Sequence, residues 1–141
     1  MHMVASPDLG WSWNRQALKL GTMSWEIATC PMDGGMVAFD NGGGVSSVWR
    51  SGDKLFFARG TNAVELGPGR NPWMAWSETG PVFVWEVSRG GALYLQNGTS
   101  ATNRTRLTEN GTDPVVATTK SATIAAWHGV GGSPGVFVVR L

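Results

Sequence analysis

Three segments of the chain end alike, and their spacing restricts the folds open to it. Val45-Ser46-Ser47-Val48-Trp49, Pro81-Val82-Phe83-Val84-Trp85 and Ala122-Thr123-Ile124-Ala125-Ala126-Trp127 each close on a tryptophan, 36 and 42 residues apart. A Gly or Pro turn and another short apolar stretch precede each: Met36–Asp40, Trp73–Ser77 and Pro114–Thr118. A third stretch follows each, at Lys54–Arg59, Ala92–Gln96 and Gly135–Arg140, and a fourth reads at Asn62–Leu66 and Asn103–Leu107. With 20 Gly, 7 Pro, 8 Trp and only 15% charged residues, the chain is written for short strands and tight turns. No stretch with helical period exceeds two turns. The sequence predicts an all-β fold.

A four-strand unit repeating at about forty residues is the mark of a β-propeller blade. The chain offers one orphan fourth strand (Asn14–Leu20), two complete units (30–66 and 71–107) and a last unit with three strands (112–141). That amounts to about three blades, and closed propellers have roughly four to eight. The arrangement predicts two copies closing a six-bladed ring, each lending its first strand to the other's last blade, so that exposed strand edges are covered. A fragment of a longer propeller, or a half-propeller docked on another partner, are the other solutions. Residues 1–5 read as a tag-like or disordered start, and 6–141 as one propeller-type domain.

The start of that domain is Ser6-Pro7-Asp8-Leu9-Gly10-Trp11-Ser12-Trp13, a Ser-x-Asp-x-Gly-x-Ser-Trp pattern. Asp and Ser side chains bond backbone amides one or two residues on, which closes a turn without a ladder partner. Gly10 supplies a positive φ without a Cβ clash, and Trp13 is expected to fold beneath the turn as an apolar plug. All the signature positions match the Asp box of sialidase-like (BNR-repeat) β-propellers, which this chain resembles. In that family the box joins the third and fourth strands of a blade. The resemblance implies the order strand 135–140, Asp box, strand 14–20, which runs from the end of one copy to the beginning of another. An Asp box is structural and implies no catalysis.

Composition narrows the partners. A net charge of +1 gives no electrostatic footprint for nucleic acid or an anionic membrane. No apolar run approaches about 18 residues. Cys30 is the single cysteine, so no internal disulfide and no thiolate metal cluster is expected; no metal and no cofactor are assigned. Asn97-Gly98-Thr99, Asn103-Arg104-Thr105 and Asn110-Gly111-Thr112 match the glycosylation sequon and serve here as surface-loop indicators. The resembled family is often secreted, but the compartment of this chain is not legible.

The resemblance also implies where ligands bind: the face carrying the loops from strand two to strand three and from strand four to strand one. On these repeats that face carries two rings. Arg50, Glu86 and His128 follow the second-strand tryptophans; Cys30-Pro31-Met32-Asp33, Arg70-Asn71-Pro72 and Thr112-Asp113-Pro114 precede the innermost strands. Asp33, Arg50, Arg70, Asn71, Glu86, Asp113 and His128 are therefore the candidate ligand-binding residues. The plainer reading is solvated turn chemistry, since Asx-Pro is common in turns. Trp49, Trp85 and Trp127 read as core; Trp25, Trp73 and Trp76 are less fixed by the repeat, and burial is their plainer reading, with one of them able to line a sugar-stacking platform.

Catalytic members of the resembled family use an arginine triad, a Tyr–Glu pair and an acidic acid/base residue. Here Tyr94 is the one tyrosine and lies in a third strand, and only Arg50 and Arg70 fall near the expected axis. No catalytic residues are assigned. The sequence supports a non-catalytic module, binding a saccharide or small polar ligand. The alternatives are a saccharide hydrolase or lyase using Asp33, Glu86, Asp113 or His128, and a purely structural assembly unit.

Overall fold

The computed structural model describes residues 2–21, 35–132 and 134–141. Asp33, together with Cys30 and Trp25, lies outside the described residues. The described chain is all-β. The strands are β1 (His2–Met3), β2 (Leu18–Lys19), β3 (Met36–Phe39), β4 (Val45–Ser51), β5 (Lys54–Arg59), β6 (Asn62–Pro68), β7 (Arg70–Ser77), β8 (Gly80–Glu86), β9 (Leu93–Asn97), β10 (Arg104–Thr108), β11 (Gly111–Thr118), β12 (Thr123–Gly129) and β13 (Gly135–Arg140).

They form four antiparallel sheets. β3 to β6 make a four-stranded first sheet in sequence order, β7 to β10 a second, and β11 to β13 a three-stranded third; β1 and β2 pair separately. No closed ring forms within the described chain. Tight turns keep successive strands adjacent. In the β3–β4 turn the Asp40 carboxylate accepts from the amides of Gly42 (2.8 Å) and Gly44 (2.7 Å), and Arg59 pairs with it from β5.

Strand alternation sorts side chains onto the two faces of each sheet. Register aligns Met36, Val48 and Phe57 on one face of the first sheet. With Leu55 and Leu66 they pack on Met74, Phe83 and Trp85 of the second sheet. The opposite face of the second sheet, with Val82, Val84 and Leu95, meets Val116 and Ala125 of the third. Arg104 fastens the first junction further out: its guanidinium lies 4.8 Å from the Trp85 ring centroid and donates to Gln96 Oε1 and, at 2.7 Å, to Leu66 O. Trp85 is thus core, as expected. Trp49 is buried on the far face of the first sheet with Phe56 and Ala58, while Trp127 is half-buried and stacks on Phe137.

The amino-terminal pattern folds as a self-contained turn. Asp8 accepts from the Ser12 amide and hydroxyl, both at 2.7 Å, and Ser6 Oγ accepts from the Gly10 amide at 2.6 Å. The Ser12 hydroxyl, more than any other contact, holds the Asp8 carboxyl below its usual range. Two expectations change here. Trp13 is 58% exposed rather than tucked under the turn. The strand expected over Asn14–Leu20 reduces to Leu18–Lys19, because the turn brings Asn14 back to Ala5 (2.9 Å) and pairs β2 with His2–Met3.

Candidate functional site

β7 and β11 are both edge strands, and both begin on an Asx-Pro step with a bulge. An edge strand tolerates proline, which has no amide to give to a ladder. The α region is disfavoured before proline, and Asn and Asp accept left-handed backbone more readily than other residues. Asn71 (φ 47°) and Asp113 (φ 52°) adopt it. The pairing slips between Arg70 and Trp73 and again between Thr112 and Val115. Pro72 and Pro114 are buried, which turns the polar residues before them toward one end of the sheets.

Glu86, the last residue of β8, ties these two bulges together. It is fully buried. Its Oε1 accepts from Asn71 Nδ2 (2.7 Å) in its own sheet, and from Thr112 Oγ1 (3.1 Å) and the Asp113 amide (2.9 Å) in the next. Three donors on one oxygen compensate the loss of hydration that burying a carboxylate entails. Oε2 is enclosed and accepts no hydrogen bond among the described residues. Arg70 stands opposite Glu86 in the ladder.

The seven residues predicted as a site therefore separate. The structure groups Asn71, Glu86 and Asp113, with Arg70 beside them. Arg50 projects from β4 on the face that carries Val48, toward the junction of the first and second sheets, and its Nε donates to Gly52 O at 2.6 Å. His128 lies exposed on β12, in register with Val136, on the face of the third sheet turned away from the second. Asp33 is outside the described residues. In the sequence Asn71 and Asp113 are expected as ligand-binding residues, with turn chemistry as the plainer reading; their left-handed backbone and the shared Glu86 acceptor come from pairing between distant segments.

A cleft that sequence reasoning passed over lies at the opposite ends of the strands. It holds about 230 Å³ between the β3–β4 and β7–β8 turns, and Asp40, Asn41, Arg59, Trp76 and Glu78 line it. The Arg59 guanidinium sits 5.7 Å from the Trp76 ring centroid. The Asp40-Asn41-Gly42-Gly43-Gly44 run was the available signal. Asp40 and Arg59 already satisfy one another there.

Among the described residues no group of three or more His, Cys, Asp or Glu could hold a metal ion, and no helix is long and apolar enough to cross a membrane. Comparison with protein-family models, with curated proteins and with solved structures gives no match.

Proposed function

We propose that the chain is a non-catalytic ligand-binding module, a sialidase-like half-propeller whose three large sheets are blades and which assembles by strand exchange. Its ligand is a saccharide or another small polar molecule, taken on the face that carries Arg50, Arg70, Asn71 and Asp113. The Asp-box turn closed by Ser6, Asp8 and Ser12, and the meander order of each sheet, support the architecture. The observation that carries the functional reading is the state of Glu86. A general acid or base must touch the proton it moves. Glu86 is enclosed, and its Oε1 is committed to three donors that fix two strand entries. It acts as a positioning residue, holding polar side chains on a rigid edge as a binding site requires. Trp73, partly exposed two residues beyond Asn71, offers an aromatic surface beside them.

Glycan-array binding by the intact protein and by Arg50→Ala tests this. The expected result is a saccharide signal that falls at least about tenfold in the variant while its unfolding midpoint is unchanged, with no sugar released. Absence of any binding by the intact protein would leave the structural-unit reading; turnover of a bound glycan would favour the hydrolase.

A further inference from the structure

The three large sheets are numbered by the same register. Val48, Val84 and Ala126, each one residue before its tryptophan, stand opposite Met36, Trp73 and Val115. Those three positions are therefore equivalent, and so are Val37, Met74 and Val116 one residue later. At the junction of the first and second sheets, Met36 meets Met74, whose amide donates to the Met36 Sδ at 3.3 Å. The corresponding contact at the open ends of the chain is Val115 with Val37. Both are exposed.

They do not stand alone. Ladder pairing aligns Val115, Ala126 and Val138, then Ala117 with Ile124, then His128 with Val136, on the uncovered face of the third sheet. Val136 is 69% and Val138 66% exposed. At the other end, among the described residues the far face of the first sheet is covered at Trp49 and the β5–β6 turn. Leu20 is fully buried, the Gly21 amide donates to Gly60 O at 3.3 Å, and a Cβ on Gly21 would stand 2.9 Å from Trp49 Cη2. Phe39 on the inner strand β3 remains 67% exposed. Contiguous apolar surface of this kind marks an interface, and the two ends of one chain match one another in position.

We infer that a second copy of this chain occupies both ends. The inference rests on the half-propeller reading and deepens it. The third sheet's face, with Val115, Ile124, Val136 and Val138, packs on Val37 and Phe39 of the second copy, inside the strip held by Leu20 and Gly21. Two-fold symmetry makes the same contact twice and closes the assembly. His128 then occupies at this seam the position that Glu86 occupies between the second and third sheets. His128 thereby belongs to the seam between the two copies.

The test uses Cys30→Ala as a cysteine-free background, with Val37→Cys and Val115→Cys made separately, co-expressed and treated with a short bis-maleimide. The expected product is a covalent dimer that requires both variants and is absent when either is treated alone. In parallel, His128→Ala is expected to raise the dimer Kd about a hundredfold, about tenfold for the hydrogen bond lost at each of the two seams. A native mass of two chains without this cross-link would overturn the seam and leave assembly standing. A single-chain mass would overturn both. An unchanged Kd would remove His128 from the interface.

Discussion

At the scale of single residues, the molecule's most consequential side chain is one with no exposed surface. Burying the Glu86 carboxylate is tolerable because Asn71, Thr112 and Asp113 donate to it, and those donors depend on it in turn. Removing the acceptor leaves part-buried donors unsatisfied, at roughly 1–3 kcal/mol each where water cannot replace it. Glu86→Ala is therefore expected to cost on the order of 3 kcal/mol in urea unfolding. Glu86→Gln, which keeps an acceptor oxygen, should cost less than half of that. Equal losses in the two variants would mean that packing, and not the hydrogen bonds, fixes the bulges.

At the scale of elements, turns carry the distinctive chemistry and strands carry the packing. Amides of Gly44 and Gly42, joined by the Arg59 guanidinium, hold the Asp40 carboxyl below its ordinary value of 3.8. The folded carboxyl binds its proton less tightly than the unfolded one. Its contribution is therefore complete above 3.8 and is lost as pH falls through the lower folded value. Between about pH 5 and about pH 3, the wild-type unfolding midpoint should fall more steeply than that of Asp40→Asn. Parallel slopes would assign the acid sensitivity elsewhere.

The strands were legible in the sequence: Lys54–Arg59 and Gly135–Arg140 match their predicted bounds, and the others shift by a few residues at either end. Period-two alternation and glycine turns are local signals, so they survive without an alignment. What was not legible depends on contact between distant segments. His128 looked equivalent to Glu86 by its place after a tryptophan, and in register it is. Among the described residues no sheet covers it as the third covers Glu86. Trp13 failed as a plug for a related reason: burial needs a neighbour, and the turn alone supplies none.

At the scale of the whole molecule, packed junctions contrast with exposed apolar outer faces. Junctions between successive sheets are dense with Phe57, Phe83, Trp85, Val84 and Leu95, whereas the two outer faces expose Val136, Val138 and Phe39. An unpaired edge at β13 with apolar neighbours is a site for pairing or for aggregation. In the proposed assembly, a second copy would cover both ends with one repeated contact. The mass of the native protein in solution, measured across a dilution series, tests this most directly. The proposed assembly predicts a species of twice the 15.0 kDa chain that persists on dilution; a soluble, monodisperse species of one chain would contradict it.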